Sequence, residues 1–388
     1  MFLIIILCAI LALIEYLSIR YATKGITYKL RFSKRLADPD EVLTMTSIIE
    51  NRSMLPKMYI RLSETIPYVT ICQKDAAGAD IIIDEDENAS DANFDHFDMR
   101  FDVRRDYVRV STTLYVMPRQ RIEKTLDFCF KERGCYKFLG AGMLCGDFLG
   151  ASSKSSNFEL NEEIVVAPRA YEDTALSTAL GGMLGMMSVR RFIFEDPVLT
   201  IGAREYTGRE PMKSISWTLS ARSADIMVKV YDYTLEPTAA VILNMECDSE
   251  VGRDKVAGCL EKALSVARTV CETLDGSGIK YSFYTNARAS GAENIWPVAK
   301  DGLGPAHLSA ILEGLGRANY YANESCFVML DKVVKRAEPG RTHIFITPEI
   351  TEDDKPGIER LKLVTGSDVL VIETLERKPG EGRFVWKW

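Results

Sequence analysis

Two hydrophobic periods divide the chain. Between residues 26 and 170 apolar positions recur roughly every second residue, as in "EVLTMTSIIENRS", "KMYIRLSETIP" and "DYVRVSTTLYVMP". Strand side chains alternate between the two faces of a sheet, so this pattern predicts half-buried strands, the first closed by the turn signal Asn51-Arg52-Ser53. Short strands separated by turns predict a small β domain, a sandwich or a barrel. From residue 236 onward, short apolar runs ("TAAVILNM", "IKYSFYT", "THIFITP", "SDVLVIET") alternate with stretches at helical spacing. In "GRDKVAGCLEKALSVARTVCETLDGSG" the residues Val256, Leu260, Leu264, Ala267, Val270 and Leu274 share one side, and Gly276 is a stop. "GPAHLSAILEGLGRA", "ESCFVMLDKVVKRA" and "IERLKLVTG" predict further helices. Such alternation predicts a mostly parallel sheet with helices on both faces, whose ligands would gather at the carboxyl ends of the strands, here 244–249, 285–288 and 347–349.

The run Phe2–Ile19 is apolar apart from Glu15 and Ser18, and as a helix it has the length of a bilayer core. Arg20, Lys24, Lys29, Arg31, Lys34 and Arg35 follow without an acidic residue among them. The positive-inside rule then predicts a single-pass protein of the cell membrane, with the bulk of the chain cytoplasmic. The rival expectation is a secreted ectodomain. In full, the expected fold class is α+β multidomain: a transmembrane helix over 1–20, a β-rich sandwich-like domain over 26–170, a linker and signature segment over 171–235, and an α/β domain with a mostly parallel sheet over 236–388. Within the third, "ALGGMLGMM" reads as a linker or as a packing insert.

Composition removes several function classes. A formal charge of -7 argues against a general nucleic-acid binder, which needs a basic stripe. The nine cysteines are scattered, odd in number and without a CxxC pair, which predicts free thiols rather than a disulfide framework or a zinc knuckle. His96, His307 and His343 stand apart, and neither a Walker loop nor a dinucleotide fingerprint occurs. The tract "DEDENASD" begins like a calcium loop at Asp84, Asp86 and Asn88 but lacks its glycine and terminal glutamate, so a solvated loop is expected.

Residues 201–222, "IGAREYTGREPMKSISWTLSAR", fit no common catalytic motif. Arg204, Arg209, Lys213 and Arg222 surround Tyr206 and Trp217. Guanidinium groups stack on aromatic rings and hold carboxylates in bidentate geometry, so the cluster reads as one that fastens two domains together or presents a contact surface, the alternative being that Trp217 and Ile215 are core and the charges merely solvated. With "IMVKVY" after it, the stretch resembles the signature of domain-of-unknown-function family 58. Gly202, Arg204, Tyr206, Gly208, Ile215, Trp217, Ser220, Ala221, Arg222 and Lys229 match that signature, while Arg209 stands where the family has aspartate and Lys213 where it has arginine. Further points of likeness are "NRSMLP", "RGCY", "DFLG" and "VAPR". The resemblance implies a β-sandwich followed by a von Willebrand factor A-like domain, and a MoxR-type AAA+ ATPase as partner in protein assembly or maturation. Family members usually carry two membrane spans, whereas one is visible here.

A metal-dependent adhesion site would show Asp-x-Ser-x-Ser after the first α/β strand, and this chain has Asn244-Met245-Glu246-Cys247-Asp248. The degenerate positions Asn244, Glu246 and Asp248 predict no metal, and no cofactor is expected. The leading expectation is a non-enzymatic, membrane-anchored scaffold that binds proteins. Its rivals are a hydrolase or transferase using Glu246 and Asp248, and a metal-dependent adhesion domain facing outward.

Overall fold

The computed structural model describes residues 2–67, 70–74, 80–83, 92–94, 97–103, 107–147, 152–191, 200–223, 225–231, 237–247, 253–290, 298–375 and 384–385. The acidic tract with Asp84, Asp86 and Asn88, His96, most of "DFLG" and Asp248 lie outside them. The chain divides into two compact units, Met1–Arg169 and Ala170–Trp388.

The first unit holds the helix Phe2–Tyr21 and two sheets. The five-stranded sheet runs in the order Ile26–Phe32, Leu43–Asn51, Arg121–Cys129, Thr70–Lys74, Asp80–Ile83. The seven-stranded sheet is built around Ser153–Val166, Gly134–Gly146, Lys57–Pro67 and Tyr107–Val116. Period-two burial along Tyr107–Val116 turns Val108, Val110 and Thr112 inward. Val108 and Val110 meet Leu43, Met45, Leu126 and Phe128 of the other sheet in one core, which makes the unit a β-sandwich. Gly140 has φ 140° at a bulge in the Gly134–Gly146 strand, and a Cβ there would lie 2.1 Å from the Phe158 carbonyl oxygen, so only glycine fits. Asn51 supplies the expected turn, its Nδ2 donating to the carbonyls of Leu55 (2.9 Å) and Met117 (3.0 Å).

A buried ion pair crosses the sandwich. Lys124 (1% exposed) donates to Glu64 (3%) and to Thr112 Oγ1 at 3.0 Å. Tyr28 OH donates to Glu64 Oε1 at 2.6 Å, and Ser47 donates to the same oxygen. Tyr28, Ser47 and Lys124 belong to one sheet, Glu64 and Thr112 to the other, so the two layers are tied by charge-assisted bonds that leave neither ion unpaired.

The second unit contains a six-stranded sheet in the order Val298–Gly302, Lys280–Thr285, Thr238–Leu243, Thr342–Thr347, Val369–Glu373, Phe384–Val385. The inner four strands are parallel and both edge strands antiparallel. One face is covered by Thr174–Arg191, Arg253–Gly276 and Pro305–Arg317, the other by Cys326–Arg336 and Lys355–Thr365. Thr174–Arg191 resolves the ambiguity of "ALGGMLGMM": Leu176, Leu180, Met183 and Met187 enter the core beside Leu264 and Ala267.

The expected fold class needs correction. Among the described residues no helix is long and apolar enough to cross a membrane. The side chains described without a break along Phe2–Tyr21, those of 12–21, include Glu15, whose charge interrupts the apolar run, and Arg20, which ends it. The single-pass anchor and the cell-membrane localisation built on it therefore do not stand. Nor does the assignment of the chain as an anchor, a sandwich and a von Willebrand factor A-like domain. The described chain is predominantly β, built of several sheets, and its six-stranded sheet is mixed because the short strands Val298–Gly302 and Phe384–Val385 run against their neighbours.

Removing one member of the buried pair, as in Lys124→Met, strands the Glu64 carboxylate and is expected to cost about 3–5 kcal/mol. The double variant Lys124→Met with Glu64→Leu is expected to recover most of the loss. Urea midpoints of the three chains measure it.

Candidate functional site

The residues singled out in 201–229 all fall on one hairpin. Thr200–Glu205 pairs antiparallel with Met227–Tyr231, and residues 206–226 form an excursion between them. Pro211, at φ -65°, opens the 3-10 helix Met212–Ser214, and Gly208 takes φ 87°, which glycine adopts without strain. The excursion is then fastened back to the second strand. Ile215 bridges Val228, both buried, and Ser216 N donates to Met227 O at 2.8 Å. Ser220 Oγ donates to Ser216 O at 2.9 Å and accepts from Met227 N at 2.8 Å. Tyr206 N donates to Ile226 O at 2.8 Å, closing the excursion at its base.

This clamp fixes where the short helix Trp217–Ser220 points. Trp217 is 63% exposed, and Met212 (71%), Leu219 (42%) and Ile226 (47%) are exposed on the same excursion. The expected grip of cations on the indole is not formed, since among the described residues no cation stacks on Trp217. Arg204 instead pairs with Glu210, Nη1 to Oε1 at 2.5 Å. Glu210 also accepts from Thr207 Oγ1 (2.8 Å) and Thr207 N (3.1 Å). The Thr207 hydroxyl first, then Arg204, hold its carboxyl well below the usual range, at about 2, against the opposing effect of burial.

Arg209, Lys213, Arg222 and Lys229 are exposed and make no ion pair among the described residues. Lys229 lies opposite Ala203 in the hairpin register, and Gly202 has open space where a Cβ would stand. Sequence reasoning missed Met212, Leu219 and Ile226. The available signal was large apolar residues interleaved with charge at neither strand nor helix period.

The carboxyl ends of the parallel strands form a second place. Asn244, 2% exposed, donates through Nδ2 to Thr347 Oγ1 (3.0 Å), and its Oδ1 accepts from Asn286 Nδ2 (2.8 Å) and Glu246 N (3.0 Å). Glu246 Oε2 accepts the N–H of Cys326 at 2.7 Å, holding the first turn of Cys326–Arg336. Burial, and then the neighbouring Asp354, push the Cys326 thiol far up, so it stays protonated. A cavity of about 770 Å³ is lined by Asn244, Glu246, Cys247, Ser325, Glu349 and Asp354, among others. Among the described residues no group of three or more His, Cys, Asp or Glu is placed to hold a metal ion.

No family model and no curated protein matches the chain. Solved structures similar to it include a cohesin module from a Clostridium perfringens family 33 glycoside hydrolase, at 10% identity over 37% of this chain and 98% of that one, TM-score 0.26. A type II cohesin domain from the Acetivibrio cellulolyticus cellulosome matches at 12% identity over 37% and 95%, TM-score 0.25. The CARDB domain of a Pyrococcus furiosus protein matches at 10% identity over 36% and 86%, TM-score 0.19. These are not von Willebrand factor A-like domains, and at such scores they carry no argument about function.

Ser220→Ala removes the acceptor of the Met227 amide, and the expected loss is about 1–3 kcal/mol of local stability. Hydrogen exchange at Met227 N–H is expected to accelerate in that variant and to return toward the parent rate in Ser220→Thr.

Glu210 is expected to titrate near 2 in the folded chain, against an ordinary 4.5, and to move up in Thr207→Val, as carbon-detected NMR would record. A folded value below the unfolded one means that its contribution to stability is complete above the unfolded value and lost as pH falls toward 2.

Proposed function

We propose that the chain is a non-enzymatic protein-interaction module whose contact surface is the excursion 206–226. The observation that carries this reading is Trp217 held 63% exposed by a hydrogen-bonded clamp, with Met212 and Ile226 exposed on the same excursion. A short segment that fixes several large apolar groups toward water loses the stabilisation their burial would bring, and a partner's surface supplies it. Tryptophan set among arginines is also the composition of interface hot spots.

Side chains at the strand ends favour no competing chemistry. Glu246 is occupied in fastening a helix, and Asn244 links neighbouring strands. The resemblance of 201–222 to domain-of-unknown-function family 58 makes a MoxR-type AAA+ ATPase the first partner to test.

Trp217→Ala and Met212→Ser are expected to weaken capture of that ATPase by the full chain by about tenfold or more, the range of an interface anchor, with unchanged melting temperature. Surface plasmon resonance with Leu363→Ala as control, a residue 82% exposed on Lys355–Thr365, measures it. Equal affinity across all variants would sink the assignment of this surface.

A further inference from the structure

The charge around Trp217 is unevenly committed. Of the five basic residues on the hairpin and its excursion, Arg204 is neutralised by Glu210. Arg209, Lys213 and Arg222, on the excursion itself, are exposed and without an ion pair among the described residues, as is Lys229 on the adjoining strand. The remaining acidic residues there are Glu205 and Asp225. The hairpin and its excursion thus carry an excess of cations together with four exposed apolar side chains, on a chain whose formal charge is -7.

We infer that this surface takes an acidic segment of a partner protein, one that sets apolar side chains against Met212, Trp217, Leu219 and Ile226 and its carboxylates against Arg209, Lys213 and Arg222. The inference rests on the reading of 206–226 as a contact surface and adds the chemistry of the occupant. Guanidinium groups donate to carboxylates in bidentate pairs, and a cation without an ion-pair partner gains from an anion. The apolar anchors select a protein segment over a bare polyanion, because phosphodiester chains offer no aliphatic complement to Met212, Leu219 and Ile226. Glu210 stays ionised over the whole working pH range, so it keeps Arg204 out of the competition and leaves the other cations to the partner.

The test uses the full chain and fluorescein-labelled peptides that share leucine and phenylalanine anchors but separate them by glutamate, glutamine or lysine, with a single-stranded oligonucleotide as a fourth probe. Anisotropy is read at low and at physiological salt. The glutamate peptide is expected to bind about tenfold or more tighter than the glutamine peptide, and the preference to shrink as salt rises. The triple variant Arg209→Glu, Lys213→Glu, Arg222→Glu is expected to abolish that preference while its circular dichroism and melting stay those of the parent. Trp217→Ala is expected to weaken every peptide.

Equal binding of glutamate and glutamine peptides, a preference that survives the triple variant, tighter binding of the oligonucleotide, or no binding by any peptide would each overturn the inference. If Trp217→Ala still weakens peptide binding in any of the first three circumstances, the contact surface stands and only the acidic occupant falls. If Trp217→Ala changes nothing, both fall.

Discussion

Where the indole of Trp217 points is decided by two serines. Ser216 and Ser220 bind the backbone of Met227 from both of its polar groups, and Ile215 beneath them bridges Val228 in the buried layer. Without those bonds the apolar groups of the excursion would collapse on one another, a rearrangement worth about 1.5–3 kcal/mol for each large side chain fully buried. Hydrogen bonds of about 1 kcal/mol apiece hold the segment open only because several act on the same turn and because breaking them would leave partly buried backbone groups unpaired. The exposed surface is therefore a property of the clamp more than of the tryptophan.

Several polar interior residues of both units are committed to structure. In the first, Glu64 and Lys124 tie two sheets together with the help of Tyr28, Ser47 and Thr112. In the second, Asn244, Asn286 and Thr347 join the ends of three parallel strands, and Glu246 anchors a helix. His343 follows the same logic: burial, with Arg341 nearby, pushes its ring down to about 4, so it is neutral at pH 7 and its Nδ1 donates to the Arg341 carbonyl.

Much of the strand and helix pattern was legible in the chain. Period-two burial along Tyr107–Val116 and the buried Leu260, Leu264, Ala267, Val270 and Leu274 of Arg253–Gly276 follow directly from residue spacing. Thr174–Arg191 was ambiguous because Gly181 and Gly185 lower helix propensity, yet both lie on open faces with nothing near them, and the methionines do the packing. "VAKDG" at Val298–Gly302 gave no strand signal, being short and polar at an edge, and so the mixed character of the sheet was not read. The apolar run at the N-terminus suggested a span from composition alone. At the candidate site the interleaved cations and rings were legible, but not their partners: Glu210, beside Arg209, takes Arg204 for itself. Spacing cannot show which of two neighbouring groups a guanidinium will choose.

The most direct test of the contact surface is photo-cross-linking inside cells, with p-benzoylphenylalanine placed at Trp217 in one chain and at Leu363 in another, two positions that are both exposed. The account predicts a discrete protein adduct from position 217 and none from 363. Identical adducts from both positions, or none from 217 while the chain is folded, would contradict it.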